Sequence, residues 1–134
     1  MAFTSPTDDI ILQEGTFAFG YTCSGSVSAG QAVEAIGTMQ VKAVPASSVV
    51  GHGCVGVAAY DQTDGEMVAV YGPGNICRVI VSGTGVAAGD VLQATYEGKF
   101  SDAEVGEKVM CSGVNAVALE TQGTDSGTCR VLLF

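Results

Sequence analysis

The sequence predicts an all-β protein, a small single-domain β-barrel or sandwich, and three observations support that class. The apolar fraction of 47% is made mostly of Val and Ala, there are 19 Gly, and Lys and Arg together number only 5. Val favours strands and Gly favours turns, whereas long surface helices need more Leu, Lys and Arg than this chain has. Apolar residues also alternate with polar ones along most of the chain, which is typical of half-buried strands.

The alternation places the strands in order along the chain. Phe17, Phe19 and Tyr21 share one face of the first strand. The later candidates are Met39–Ala43, Val55–Tyr60, Met67–Tyr71, Ile76–Val81, Val91–Tyr96, Val109–Cys111, Val114–Leu119 and Cys129–Phe134. No stretch has the spacing of a long amphipathic helix, so the strands are expected to follow one another directly.

Short turn signals separate the strands. Asp64-Gly65 lies between Val55–Tyr60 and Met67–Tyr71, and an Asp-Gly pair in that position predicts a hairpin. Gly72-Pro73-Gly74-Asn75 predicts a second reversal of the chain, and Glu97-Gly98 predicts a third.

Two parts of the chain resemble each other at an offset of 59 residues. Ser28–Ala35 resembles Ala87–Ala94, and Gly56–Ala59 aligns with Asn115–Ala118. Two facing copies of one strand–turn–strand unit make a closed barrel or sandwich, which leaves few exposed sheet edges. The pattern therefore favours two pseudo-repeats, and chance similarity in a chain rich in Val, Ala and Gly is the alternative.

A chain of 134 residues has the size of one ordinary domain. Its beginning differs from the rest, because Thr4–Asp9 is polar and turn-prone and Ile10–Leu12 is sharply apolar. We therefore expect residues 1–14 to form an N-terminal arm or a first edge strand. Residues 15–134 are expected to form a single β-barrel-like domain.

The chain is strongly acidic, with 14 acidic residues against 5 basic ones and a net charge of −9. Nucleic-acid binding depends on Lys and Arg that neutralise phosphates, so no nucleic-acid partner is expected. The simplest interpretation is that the charge keeps an exposed surface soluble. Adaptation to high salt is the alternative.

The first residues, Met-Ala-Phe-Thr-Ser-Pro, have no basic start and no apolar stretch of signal-peptide length. No run of apolar residues approaches the length needed to cross a bilayer, so no membrane partner is expected. We expect the protein to be made in the cytoplasm and to stay there or leave inside a larger assembly.

No metal site or cofactor is predicted. The five cysteines are widely spread and never spaced as C-x-x-C: Cys23, Cys54, Cys77, Cys111 and Cys129. A metal site needs clustered ligands, and the one histidine, His52, could add only one. The cysteines are expected to be buried, reduced thiols that pack as small apolar residues.

No catalytic residues are predicted either, so the protein is not expected to be an enzyme. Gly51–Gly56 matches G-x-G-x-x-G formally, but a dinucleotide site needs a helix after the glycines, and a β-type stretch follows here. A catalytic triad would depend on His52 alone, and His52 with Cys54 has no third group to orient it.

Acidic residues are the remaining candidates for chemistry, as a carboxylate pair or as Ca²⁺ ligands. Those in expected turns and loops are Asp8, Asp9, Asp61, Asp64, Glu66, Glu97, Asp102, Glu104, Glu107 and Asp125. No stretch has the dense ligand spacing of a Ca²⁺ loop, and carboxylates in loops are usually solvated.

The order of turn glycines and strand valines carries a resemblance to a known family. The segments concerned are Val27–Val33, Val55–Ala58, Gly65–Val70, Arg78–Gly83, Ala88–Leu92 and Cys129–Leu133. Over about Gly15 to Phe134 the chain resembles the small capsid cement (head decoration) proteins of tailed double-stranded DNA viruses. The resemblance implies a β-barrel-like homotrimer, without an active site, that binds the major capsid protein on the outer surface of the icosahedral head.

The N-terminal segment is the candidate docking element for such a capsid. Phe3 and the trio Ile10, Ile11 and Leu12 could lie as an extended strand along the edge of a capsid protein. Main-chain hydrogen bonds would then provide affinity, and apolar pockets would set the register. The alternative is that the trio is simply the first strand of the barrel.

Two other functions are compatible with the sequence. One is a different virion-surface β-module, such as a turret or fibre base or a carbohydrate-binding adhesin domain. The scarcity of aromatic residues outside the expected core argues against sugar binding. The other is a hydrolase that uses the acidic loops.

Overall fold

The strands of the protein, in a computed structural model, form two sheets. The structure describes residues 18–44, 53–83, 85–102 and 112–134. Their strands are β1 (Ala18–Cys23), β2 (Ala32–Gly37), β3 (Gln40–Ala43), β4 (Gly53–Ala58), β5 (Met67–Tyr71), β6 (Ile76–Ile80), β7 (Val91–Ala94), β8 (Phe100–Asp102), β9 (Ser112–Gly113), β10 (Ala116–Ala118) and β11 (Thr128–Leu133). These described residues contain no α-helix and one short 3₁₀ turn, at Tyr96–Gly98. The predicted all-β class is confirmed.

The first barrel is a ring of strands from the first half of the chain. Its strands lie in the order β2, β3, β1, β5, β4, and β4 pairs back onto β2 to close the ring. Every pair is antiparallel except β1 with β3, which is parallel. The short strand β9 adds to β4 in parallel from outside the ring.

The second barrel is formed in the same way by the second half of the chain. Its strands lie in the order β6, β11, β10, β7, β8, and all these neighbours are antiparallel. A single parallel bridge between Val81 and Phe100 joins β8 to β6 and closes the ring. Closure matters because it leaves neither barrel with a free row of main-chain groups between these strands.

The two barrels correspond strand for strand, which confirms the predicted internal repeat. Strands β1 to β5 correspond in order to β6, β7, β8, β10 and β11, and each pairing in one ring recurs in the other. For example, Phe19 of β1 pairs with Val70 of β5, and the corresponding residues of the second barrel, Cys77 of β6 and Val131 of β11, pair in the same way.

The offset between the copies is not constant, which corrects one predicted alignment. Phe19 and Cys77 lie 58 residues apart, whereas Val70 and Val131 lie 61 apart. Val57 pairs with Tyr71 as Val117 pairs with Leu132. Gly56–Ala59 therefore matches Ala116–Leu119, one residue later than the sequence alignment placed it, because the second copy has gained residues in its loops.

Alternate residues of each strand fill the barrels, and one core extends across both. The smaller cluster lies inside the first barrel and consists of Cys23, Val27, Val33, Val41, Ala58, Val68 and Val70. The larger cluster joins the interior of the second barrel, including Leu92 and Phe100, to Ala32 and Val57 on the outside of the first. The first barrel therefore packs its outer face against the second.

The structure confirms several local predictions. Phe19 and Tyr21 pair with the buried residues Val70 and Val68, so they share the inward face of β1. The Glu97-Gly98 turn joins the antiparallel strands β7 and β8. The glycines of the G-x-G-x-x-G match run into β4 from Gly53 onward, and a strand stands where a dinucleotide site would need a helix.

Other local predictions are wrong in detail. Met39 lies in the turn between β2 and β3, with a φ of 52°, instead of within a strand. Asp102 belongs to β8 instead of a loop. Strands β4 and β5 do pair, but β4 ends at Ala58, and the Asp64-Gly65 turn folds back so that the Gly65 N–H donates to the Cys23 carbonyl. The antiparallel strands β4 and β5 are therefore joined by a longer connection, residues 59–66, instead of a tight two-residue hairpin.

The cysteines of the described residues are buried, as predicted: Cys23, Cys54, Cys77 and Cys129. Burial raises the pKa of the Cys23 and Cys129 thiols, and the charge of Asp64 raises that of Cys23 further. Both thiols therefore stay protonated at neutral pH and pack as apolar groups. Cys111 lies outside the described residues, as does the predicted strand Val109–Cys111.

Candidate interaction surfaces

The contact between the two barrels is the first candidate surface in the described residues. A cleft of about 320 Å³ lies there, and residues from both halves of the chain line it. Its first-barrel lining is Ala29, Gly30, Ala58, Ala59 and Tyr71, and its second-barrel lining is Cys77, Arg78 and Thr128.

Main-chain groups hold the barrels together around this cleft. The Ile80 N–H donates to the Gly30 carbonyl across 2.9 Å. The Gln31 side-chain amide donates to the Glu97 carbonyl across 2.8 Å. Gly98 lies so close to Gln31 and Ala32 that a Cβ added to it would be 2.8 Å from the Ala32 carbonyl oxygen. The contact is therefore tight at Gly98 and open at the cleft.

A second surface is an apolar row on the outside of the second barrel. Ile76, Leu132, Val117 and Val91 are direct cross-strand neighbours on β6, β11, β10 and β7. Leu132 is 38% exposed and Val91 46%, although both are large apolar side chains. Leu119, directly after the end of β10, is 45% exposed and extends the patch, which spans several strands. We call Val91, Val117, Leu119 and Leu132 the Leu132 face.

A third surface is apolar and lies on the first barrel. Met67 is 59% exposed, and its terminal Cε methyl group lies over Gly20 on the neighbouring strand. Phe19, at the start of β1, is 64% exposed even though its register points it inward. Met39 is exposed in the turn between β2 and β3, and its main-chain carbonyl accepts a hydrogen bond from the Thr22 N–H. These three residues share one property, since the residues that correspond to them in the second barrel (Cys77, Gly98 and Thr128) lie at the contact between the barrels. We call Phe19, Met39 and Met67 the Met67 face.

Three of the acidic loop residues bind main-chain N–H groups in the turns of the fold. Asp64 Oδ1 accepts from the Gly25 N–H at 2.7 Å, and Asp125 Oδ1 accepts from the Gly83 N–H at 3.0 Å in the second barrel. Asp61 Oδ1 accepts from the Ala29 N–H at 2.8 Å. These carboxylates satisfy main-chain donors at corresponding turns, which is a structural use of the residues that the sequence offered as candidate hydrolase acids.

We expect Asp64→Ala to lower the free energy of unfolding by about 1–2 kcal/mol, because the Gly25 N–H loses a charged acceptor. Asp64→Asn keeps an acceptor oxygen and should lose less than half of that. Urea denaturation followed by circular dichroism measures both, with Glu66→Ala as an exposed control that removes the same charge. Equal losses for Asn and Ala would contradict the hydrogen-bond explanation.

The predicted docking residues Phe3, Ile10, Ile11 and Leu12 lie outside the described residues, and so does His52. Within residues 18–44, 53–83, 85–102 and 112–134, no group of three His, Cys, Asp or Glu side chains could hold a metal ion. No helix in the same ranges is long and apolar enough to cross a bilayer.

Comparison with known proteins gives a fold relationship. No protein-family model matches the sequence, and no curated protein matches it significantly. Among solved structures, the fold is similar to the N base of the head fibre gp8.5 of bacteriophage phi29. The two align with a TM-score of 0.56 over 88% of this chain and 93% of that chain, at 16% sequence identity. The likeness therefore covers both barrels and establishes a shared fold.

Sequence reasoning did not find the Leu132 and Met67 faces. Alternation indicates which residues share a face, but it does not tell which face is covered. Part of the signal was present in the internal repeat, where the small Ala32 of one copy aligns with the larger Val91 of the other. The match of Ala59 with Leu119 follows only from the strand pairing, because the sequence alignment sets Ala59 against Ala118.

Proposed function

We propose that this protein is a structural component of the virion of a tailed phage and lies on the outer surface of the head. The observation that supports this most directly is the similarity of fold, over nearly the whole chain, to a phage head-fibre base. The order of glycines and valines that resembles head decoration proteins points to the same location from the sequence. In this proposal the protein acts by binding and has no catalytic role.

The finer proposal is that it is a capsid cement protein that binds the major capsid protein as a homotrimer. Packaged DNA pushes outward on a phage head, so a clamp that binds several capsid subunits opposes their separation. A trimer would engage several sites at once, and modest individual contacts would then combine through effective concentration.

The charge distribution is compatible with a position outside the shell and with the absence of a nucleic-acid partner. Among the basic residues that the structure describes, Lys42, Arg78 and Lys99 each have an acidic side chain within 4 Å. Arg78 lies 3.3 Å from Glu120, Lys99 lies 3.7 Å from Asp125, and Lys42 lies 3.8 Å from the buried Glu34. These cations are paired within the protein, so they provide little net positive potential for phosphates.

A fibre base is the second candidate, and the same structural neighbour favours it. A cement protein works with the capsid alone, whereas a fibre base must also hold a distal element. The barrel contact surfaces described above are compatible with either use. The two proposals differ in copy number and in the need for a further protein.

Co-expression with the major capsid protein encoded in the same genome tests the proposal. The protein should co-sediment with assembled heads, and cryo-electron microscopy should place it on their outer surface. Heads that carry it should release DNA at a higher temperature than heads without it. A protein that stays in the supernatant with heads from its own genome would contradict the virion-surface proposal.

The N-terminal docking prediction is tested in the same assay by deletion of residues 1–12. Loss of head binding with an unchanged unfolding curve supports the arm, and unchanged occupancy contradicts it. Density at every equivalent site of the lattice supports cement. Density at few sites, joined to another protein, supports a fibre base.

A further inference from the structure

The internal repeat explains where the exposed apolar residues lie. Eight large apolar side chains are exposed in the described residues: Phe19, Met39, Tyr60, Met67, Val91, Leu119, Leu132 and Phe134. Through the matched strand registers, each has a counterpart in the other barrel. For six of the eight, all except Tyr60 and Phe134, that counterpart lies at the contact between the two barrels.

The Leu132 face matches the side of the first barrel that packs onto the second. Tyr71 corresponds to Leu132 and Ala59 to Leu119, and both Tyr71 and Ala59 line the inter-barrel cleft. Ala32 corresponds to Val91 and is fully buried next to Gly98. The same face is therefore covered in the first barrel and uncovered in the second.

The Met67 face matches the opposite side of that contact. Cys77 and Thr128 correspond to Phe19 and Met67, and both line the cleft from the second barrel. Gly98, which approaches Ala32, corresponds to Met39, and both residues have a positive φ. This side is covered in the second barrel and uncovered in the first.

We propose that the Leu132 face of one chain binds the Met67 face of a second copy of the same chain. The contact is head-to-tail and repeats between chains the arrangement of the two barrels within a chain. Two different surfaces of one protein that fit each other generate closed rings, or open filaments where the rotation does not close. The proposal names the contact of the homotrimer proposed above. Its argument and its test concern the protein in solution, so it can fail while head binding succeeds, and the reverse.

The side chains on the two faces determine how closely the contact between chains can resemble the contact between the two barrels of one chain. Met39 stands where Gly98 makes the tightest approach, so two chains cannot come as close as two barrels do. The larger residues at the other positions compensate, because Phe19, Leu119 and Val91 replace Cys77, Ala59 and Ala32 and fill a wider gap. The same faces therefore meet at a greater spacing, with a more apolar contact.

Charge opposes this association and apolar burial favours it. Each copy carries a net charge of −9, so two copies repel at low ionic strength. Added salt screens that repulsion and leaves the apolar contact intact. The oligomer should therefore become more stable between about 0.05 and about 0.5 M NaCl, the reverse of a contact held by ion pairs.

A mixing experiment with the full chain tests the head-to-tail arrangement. Leu132→Glu breaks one face and Met67→Glu the other, and each should raise the dissociation constant by roughly tenfold or more, because a charge would be buried without a partner. In sedimentation velocity the wild type should form oligomers, whereas each variant alone should be monomeric. An equimolar mixture of the two should form heterodimers, since one intact junction remains.

Controls keep the result interpretable. Thr63→Glu adds the same charge in an exposed loop and should leave the oligomer unchanged, and circular dichroism confirms that each variant is folded. Val91→Glu replaces Leu132→Glu where the latter does not fold. A monomeric wild type, or variants that lose association without recovering it on mixing, would overturn the proposal.

Two other occupants of these faces give different results. If residues 1–12 covered the Met67 face, their deletion would turn a monomeric wild type into an oligomer. If a capsid protein occupied the Leu132 face, Leu132→Glu would lose head binding while the wild type stayed monomeric in solution. In both cases the full chain is monomeric, which contradicts its self-association.

Discussion

Gly85→Ala is expected to destabilise the protein by more than about 3 kcal/mol, since two penalties combine at this position. Gly85 has a φ of 87°, a left-handed conformation that costs an L-residue about 1–2 kcal/mol. A Cβ there would also overlap the main-chain atoms of Gln122 and lie 2.7 Å from the Cα of Gly123. Main-chain atoms cannot move aside as a flexible side chain can, so the Val86–Gln122 bridge would have to break.

Gly89→Ala is the matched control. Its φ of 94° is nearly the same, but an added Cβ would meet nothing within 4 Å. We expect a loss of about 1–2 kcal/mol, from backbone conformation alone. Urea denaturation of both variants gives the difference between them. Equal losses would mean that the close approach at Gly85 is relieved by a loop movement, and would contradict the steric explanation.

The sequence was sufficient to predict the fold class, most strands and the repeat, because each depends on local or short-range patterns. Val and Gly report strands and turns directly, and the matching of Ser28–Ala35 with Ala87–Ala94 survives in the aligned strands β2 and β7. The pairing order was not predictable, since the parallel contact of β1 with β3 joins strands with another strand between them along the chain. The loop insertions that change the offset also leave no local signal.

The candidate site was predicted less well than the fold, and the reason is physical. A short apolar run such as Ile10–Leu12 attracts notice because it is continuous in the sequence. Leu132, Val117 and Val91 are contiguous only in space, as neighbours on three strands. The docking role of Phe3 and Ile10–Leu12 remains a prediction, which the deletion of residues 1–12 tests.

The repeat connects fold and function in this protein. Two copies of one barrel have the same faces, but within one chain each face can be covered only once. One copy of each face therefore stays open, and those open faces hold most of the exposed apolar residues in the described ranges. A repeated fold thus creates association surfaces without any dedicated motif, which is the reason that a motif search finds so little in this chain.

Phe100→Ala is expected to lower the free energy of unfolding by about 3–5 kcal/mol, the usual cost of removing a buried Phe side chain. Among the described residues, Phe100 is the largest fully buried side chain, and it forms the bridge with Val81 that closes the second barrel. Its counterpart in the first barrel is the smaller Val41, also fully buried, for which Val41→Ala should cost roughly 1.5–2 kcal/mol. The stability of the second barrel therefore depends more strongly on this single position than the stability of the first barrel does.

The effect should reach both barrels, because the larger core cluster joins the interior of the second to Ala32 and Val57 of the first. Amide hydrogen exchange can follow this at Val70 in the first barrel and Val131 in the second, and both should lose protection equally in Phe100→Ala. Phe134→Ala, which removes the same ring from an exposed site, should change stability by less than about 0.5 kcal/mol. Loss of protection at Val131 alone would mean that the barrels unfold separately. In that case the contact between them would be too weak to serve as a model for one between chains.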